Sequence, residues 1–278
     1  MAKQNGERIR LWGVNITGEA VFPSKSDAPI IAAHLARYGI NCVRFHAIDR
    51  ASPGGIFDAS RDDTRRLDLN QLDLMDFFVS ELKKQGIYID LNLHVVRRFK
   101  EGDGVKDYEY LGYSKVVTYF DEKIIMLQKE YARQLLTHYN PYTQSEYRNE
   151  PAVAIVEMVN ENSIIDAWFS NRLLGENKSK AVMAWIDLPA SYANDLTERY
   201  NTWLEEKLSV AELEELRNIA GVAEWELIPR LRKEDFQSAP VERFYREAQF
   251  YMELERNYFD DMRNYLKNEL KVKSLIIG

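Results

Sequence analysis

Twelve residues near the middle of the chain, Pro151-Ala-Val-Ala-Ile-Val-Glu-Met-Val-Asn-Glu-Asn162, decide the fold that the sequence predicts. After the proline the segment is apolar at nearly every position up to Val159, which is typical of a strand buried in a parallel sheet. Three polar residues, 160–162, follow at once. In parallel β/α folds the carboxyl ends of the strands carry the functional site. The segment therefore predicts a buried strand with a site at its end.

Strand and helix patterns alternate on both sides of this segment. The other predicted strands cover 10–17, 40–46, 87–94 and 272–277. Helices with apolar residues at 3.6-residue spacing are predicted at 26–38, 70–85, 121–136 and 241–270. This alternation predicts a parallel sheet, either closed or open.

Residues 164–240 break the alternation and read as a helical insertion after the fourth strand. Within it, 182–186 fits either a sixth strand or part of the insertion. A length of 278 residues would suit a complete eight-stranded barrel, but the strand count does not. We therefore predict a single α/β domain over 1–278, an incomplete (β/α)8 TIM barrel with about five of its eight strands. Because the chain stops in a buried apolar strand, we expect it to be a fragment.

Composition excludes several classes of protein. The 37 basic residues against 44 acidic ones give a net charge of -7, which disfavours a duplex nucleic-acid binder. A single cysteine, Cys42, rules out an intramolecular disulfide framework and a Cys-rich zinc site. No apolar run reaches the 18 residues of a membrane span. The sequence contains no glycine-rich phosphate-binding or dinucleotide-binding loop, so we predict no cofactor. The N-terminus lacks the apolar core of a signal peptide, so the location of the protein stays open.

The pair Asn160–Glu161 is the sharpest chemical signal. A glutamic acid at a strand end can protonate a departing glycosidic oxygen and later activate water. The asparagine before it can hydrogen-bond a sugar hydroxyl beside the reacting carbon. The structural alternative is a helix N-cap followed by an acidic residue in the first turn. We favour the functional reading.

Polar residues also end the second and third predicted strands. Arg44 in an apolar strand needs a carboxylate partner, which is either a catalytic group or a structural one such as Glu157 or Asp90. His46 and His94 could hold a substrate hydroxyl or orient a carboxylate, could be ordinary core histidines, or could bind zinc.

Two further residues are weaker candidates. Asn15, on the first strand, is predicted to reach the same mouth with its amide. Trp168, seven residues after Glu161, either stacks on a pyranose or anchors the insertion's own core.

Four motifs together resemble the clan A glycoside hydrolases, most closely the cellulase-like enzymes related to family 5. They are residues 11–18, 43–46, 87–94 and 156–162, in that order along the chain. The segment 200–208 also resembles the insertion after the fourth strand of family 42 β-galactosidases. The resemblance spans about residues 10–278.

The resemblance implies a (β/α)8 barrel that cleaves β-linked oligo- or polysaccharides with retention. It implies that Glu161 is the acid/base, that Asn160 holds the sugar 2-hydroxyl, that Arg44 supports the nucleophile and that His94 lines the donor subsite. The family is often exported. Its nucleophile is a second glutamate on the seventh strand, before which this chain is predicted to stop, so the chain alone is expected to lack half of its chemistry.

Two other functions stay open at this point. One is a non-catalytic carbohydrate-binding barrel, and the other is a metal-dependent hydrolase using His46 and His94. An open five-stranded sheet also leaves two edges, which predicts a homo-oligomer or strand exchange.

Overall fold

The structure, a computed structural model, describes residues 6, 8–180 and 187–278. Its centre is a parallel sheet of five strands in the order β1-β2-β3-β6-β7. The strands are β1 Gly13–Thr17, β2 Cys42–His46, β3 Tyr88–His94, β6 Val153–Val159 and β7 Leu275–Ile277. The predicted α/β fold with its parallel sheet is confirmed. The proposed sixth strand at 182–186, with Trp185, lies outside the described residues.

The strand order shows how the sheet is wound. Neighbours in the sheet follow one another along the chain without reversal, unlike a doubly wound fold. Right-handed crossovers that all advance in one direction place the helices on one face of the sheet. This is the winding of a (β/α) barrel, and within the described residues the five strands form an arc that does not close.

Seven α-helices lie among the described residues. They are α1 Ala28–Arg37, α2 Leu69–Lys84, α3 Glu122–Leu136, α4 Ile164–Phe169, α5 Ala190–Lys207, α6 Val210–Ala220 and α7 Val241–Asn264. Aspartates cap two of them, since the Asp68 side chain accepts from the backbone N–H groups of Asn70 and Gln71, and Asp121 accepts from that of Ile124. The predicted last helix ends early, because Tyr265–Glu269 winds as a π-helical turn.

One small element escaped the sequence analysis. Strands β4 Tyr139–Asn140 and β5 Ser145–Glu146 form an antiparallel hairpin between α3 and β6. Each has two residues, which is too short for a hydrophobic period to show.

The segment after β6 packs its own aromatic core against α7. Trp168 contacts Phe236, Phe244 and Tyr251 at ring-centroid distances of 4.7–5.2 Å. Glu247, buried on α7, accepts hydrogen bonds from the Leu231 backbone N–H (2.7 Å) and the Tyr251 hydroxyl (2.8 Å). No helix among the described residues combines the length and apolarity needed to cross a bilayer.

The two outer strands of the sheet lead to a test of self-association. On β7, Leu275 is 50% and Ile277 38% exposed, and apolar edge strands pair readily with other chains. We expect light scattering to give a mass above the 32.5 kDa of one chain. Leu275→Lys should shift the protein towards monomer, whereas Leu227→Lys, which places the same charge at an exposed leucine away from the sheet, should not. A wild-type monomer at all concentrations would contradict the expectation.

Candidate active site

The carboxyl ends of β2, β3 and β6 bring the predicted polar residues together. Val43 and Phe45 on β2 are wholly buried, and Phe45 stacks on Phe78 of α2. Because side chains alternate along a strand, Arg44 and His46 point to the opposite, concave face. The same alternation places Asp90, Asn92 and His94 of β3 and Glu157 of β6 there.

A bidentate ion pair joins two strands that are not neighbours. The Arg44 guanidinium donates through Nε to Glu157 Oε2 and through Nη2 to Oε1, both at 2.7 Å. Nη2 also donates to Asn160 Oδ1 at 2.8 Å. Strand β3 lies between β2 and β6, so the pair bridges over Asp90. Of the partners that the sequence left open for Arg44, the structure selects Glu157.

Glu161 lies directly beyond the end of β6. Its side chain is exposed, and its backbone has a positive φ of 45°, which costs a residue other than glycine roughly 1–3 kcal/mol. The Glu161 carboxylate forms no hydrogen bond or ion pair with the residues that the structure describes. It borders an open depression of about 630 Å³, lined by Glu157, Val159, Glu161, Asn162, Ser163, Asp166, Phe259 and Gly278.

The turn that carries Glu161 is held by residues 115–119, which precede α3. Lys115 Nζ donates to the backbone carbonyl oxygens of Asn160 and Glu161. The backbone N–H of Val116 donates to Asn162 Oδ1 at 2.8 Å, and the Tyr119 hydroxyl donates to the Asn162 carbonyl. These partners lie more than 40 residues away in sequence, so no local pattern reveals them.

Asp90 is a second residue that the sequence analysis did not include in the site. It is 8% exposed, and Oδ1 has no hydrogen-bond partner among the described residues. Burial, followed by the nearby Glu157 carboxylate, raises the pKa of Asp90 to about 6, while Arg44 acts in the opposite direction. A buried carboxyl with a raised pKa next to a site is a candidate for proton chemistry.

The two predicted histidines differ in environment. His46 is half-buried and its Nδ1 lies 3.3 Å from Asn92 Nδ2. Burial, then the charge of Arg44, lowers its pKa. His94 is 3% exposed, and burial lowers its pKa to about 3, so the ring is neutral. His94 therefore lies below the surface of the mouth, and the donor-subsite contact that the resemblance implies stays a prediction.

Trp168 lies inside the segment that follows β6. Only 2% of it is exposed, and its Nε1 donates to the Leu231 carbonyl at 3.0 Å. The indole ring packs against other aromatic side chains, and its N–H is already hydrogen-bonded. These contacts fit the alternative in which Trp168 anchors the core of this segment. Asn15 is exposed on edge strand β1 and pairs in register with Arg44, which leaves its predicted contact with substrate open.

The metal alternative gains no support from the geometry. Among the described residues, no group of three or more His, Cys, Asp or Glu side chains is arranged to hold a metal ion. His46 and His94 lie on one face of the sheet, and the nearest carboxylate to His94, that of Asp49, is 3.8 Å from its Nδ1. That carboxylate already accepts backbone N–H groups.

Comparison with known proteins gives distant likenesses. No family model and no curated protein matches the sequence. Among solved structures, the chain is similar to an endo-β-1,4-mannanase from Thermotoga petrophila, with 19% identity and a TM-score of 0.42 over 57% of this chain and 36% of that one. It is similar to an endo-1,4-β-mannanase from Rhizomucor miehei, with 15% identity and a TM-score of 0.44 over 70% of this chain and 72% of that one.

A third similar structure is a glycoside hydrolase family 5 mannosidase from Rhizomucor miehei. It has 13% identity and a TM-score of 0.41 over 95% of this chain and 66% of that one. The chain thus spans about a third of the length of the Thermotoga enzyme. Likeness at this level carries no activity from those proteins to this chain.

The environment of Asp90 leads to a pH-dependent stability test. Its pKa of about 6 lies above the ordinary 3.8, so the fold favours the protonated form. The contribution of protonated Asp90 to the free energy of unfolding is full below about pH 4 and is lost as the pH rises through about 6. Asp90→Asn should therefore stabilise the protein at pH 8 by roughly 1–3 kcal/mol and make little difference at pH 4.

Urea denaturation at both pH values measures this difference. The exposed Asp260→Asn is the matched control and should change the free energy of unfolding equally at the two pH values. An Asp90→Asn protein that is less stable than wild type at pH 8 would show that the ionised carboxylate is the favoured form.

Proposed function

We propose that the chain carries the acid/base half of a glycoside hydrolase that cleaves β-linked oligo- or polysaccharides, with Glu161 as the acid/base. The observation that supports this is the state of the Glu161 carboxylate. It forms no ion pair with the described part of the chain, at the open end of a buried strand and on a backbone that Lys115 holds through hydrogen bonds. A carboxyl group that is unbound, lies on a fixed backbone and borders an open depression is suited to proton transfer to a bound ligand.

Asn160 fits the second role in this chemistry. Because its Oδ1 accepts from Arg44, the orientation of the amide is set and Nδ2 remains to donate. A donor beside Glu161 can bind a sugar hydroxyl, which the resemblance implies is the 2-hydroxyl, and such a bond strengthens as the oxocarbenium-like transition state forms.

The second carboxylate of a retaining mechanism is a separate question. It must lie about 5–5.5 Å from the acid/base. Glu157 borders the same depression as Glu161, but Arg44 donates to both of its oxygens. It also lies on β6, only four residues before Glu161 in the sequence. We propose that Glu157 orients Arg44 and Asn160 and that the nucleophile is not among the described residues. Ordinary hydrolysis by this chain alone is then expected to be absent.

A small external nucleophile provides a test with the chain as it is. Azide can attack the anomeric carbon of an aryl β-glycoside while Glu161 protonates the departing phenol, which gives an α-glycosyl azide and the free phenol. With a poor leaving group such as 4-methoxyphenol, Glu161→Gln should lower the azide-dependent rate about 100-fold or more. With 2,4-dinitrophenol, which needs no protonation, the variant should react nearly as fast as the wild type.

The matched control is Glu224→Gln, which changes an exposed glutamate in the insertion and should leave both rates unchanged. Equal rates for wild type and Glu161→Gln with the poor leaving group would refute the acid/base assignment. Oligosaccharide binding without any azide-dependent turnover would instead favour the non-catalytic carbohydrate-binding alternative.

A further inference from the structure

A second, basic cleft opens at the same edge of the sheet. It lies between the loop that follows β2 and the loop that follows β3, and it encloses about 400 Å³. We call it the basic cleft. It is lined by Asp49, Arg50, Ala51, Phe57, Thr64, Val96, Arg98, Phe99, Lys100 and Tyr113.

Three cations line the basic cleft without a carboxylate partner. No described acidic side chain lies within ion-pair distance of Arg50, Arg98 or Lys100, although the chain as a whole carries a net charge of -7. The acidic lining residue, Asp49, is fully buried, and its oxygens accept from the backbone N–H groups of Val95, Val96 and Arg97 at 2.7–3.1 Å. Three positive charges thus face one carboxylate that is already hydrogen-bonded.

Each cation is held in place by a neutral group. Arg50 Nε donates to the Ala47 carbonyl at 3.1 Å, and its stem lies so close to Gly55 that a Cβ there would be 2.2 Å from Arg50 Cγ. The Arg98 guanidinium lies over the Tyr113 ring, 5.1 Å from its centroid. Lys100 Nζ donates to the Arg61 carbonyl at 2.6 Å. Neutral partners fix the direction of these side chains and leave their charges uncompensated, which is what an anion site requires.

The remaining lining suits a ring. Phe57 and Phe99 are buried with each ring against the Arg97 guanidinium, and Val96 also lines the cleft. Apolar walls with a few convergent polar groups are typical of small-molecule sites. The partly buried Val96 and Tyr113 can contact the C–H groups of a pyranose while the cations bind a charged substituent.

The basic cleft adjoins the mouth that holds Glu161. Asp49 lies 3.8 Å from His94 at the end of β3. Tyr113 stands two residues before Lys115, whose ammonium contacts the Glu161 carbonyl.

We propose that the basic cleft binds an anionic sugar residue, through a carboxylate or a sulfate ester, so that the ligand of this protein is an acidic glycan. The statement about the substrate rests on the proposed function, whereas anion binding by the cleft does not. Carboxylate and sulfate share the planar or branched oxygens that arginine binds in a forked geometry.

Titration calorimetry on the full chain tests the proposal with three disaccharides of equal size. One carries a uronic acid carboxylate, one a sulfate ester and one no charge. At least one charged disaccharide should bind about tenfold or more tightly than the neutral one, and the stronger of the two identifies the anion. Raising the ionic strength from about 0.01 M to about 0.1 M shortens the Debye length from about 30 Å to about 10 Å, so charged binding should weaken while neutral binding should not.

Variants locate the binding. Arg98→Gln and Arg50→Gln should each weaken the charged disaccharide about tenfold or more, as expected for a lost hydrogen bond to a charged group. Arg37→Gln, on an exposed face of α1, should have no effect. Glu161→Gln should bind the charged disaccharide as the wild type does, which separates failure of this proposal from failure of the acid/base assignment. Equal affinity for charged and neutral disaccharides, or for inorganic sulfate alone and the sulfated disaccharide, would overturn it.

Discussion

The ion pair between Arg44 and Glu157 is the constraint on which the mouth of this fold depends. It joins β2 to β6 across β3, over two strand spacings of about 4.8 Å each, and it holds the Asn160 amide at the same time. Arg44 is partly buried, and removing its carboxylate partner would leave a partly desolvated charge uncompensated. Asp90 on the intervening strand is buried beside this pair, and its burial, followed by the Glu157 carboxylate, raises its pKa to about 6.

The loop from Lys115 to Tyr119 gives the turn at Glu161 its rigidity. Three groups of this loop bind the backbone or side chains of 160–162, so the positive φ of Glu161 is held by contacts from outside the strand. Such an arrangement leaves the Glu161 carboxylate exposed to solvent and unbound among the described residues. Rigid backbone and free side chain together are what proton transfer to a ligand needs.

The two hollows at the carboxyl edge of the sheet have opposite charge. Acidic side chains border the depression at Glu161, while cations line the basic cleft beyond Asp49. In an acidic protein, a local excess of positive charge focuses anions to one place. The combination is consistent with a ligand that presents a glycosidic oxygen to one hollow and a negative charge to the other.

The sequence by itself determined the parallel α/β fold and placed the candidate site at the end of the fourth predicted strand. The apolar run 152–159 and the alternation around it predicted β6 and its neighbours, because burial on both faces of a sheet leaves a pattern within a few residues. Asn160 and Glu161 followed from the same pattern, since a strand's carboxyl end is fixed once the strand is known.

Only the tertiary structure decided which side chains meet at that end. Arg44 pairs with Glu157, and Lys115 donates to the backbone of the turn at Glu161. Arg50 and Arg98 line the same cleft. All of these residues are far apart in sequence. Trp168 and His94 turned inward for the same reason, because whether an aromatic side chain is covered depends on elements that pack over it later in the chain. The hydrophobic pattern of a helix or strand shows which of its own residues are buried. Which side chains those residues contact depends on how all the helices and strands pack together.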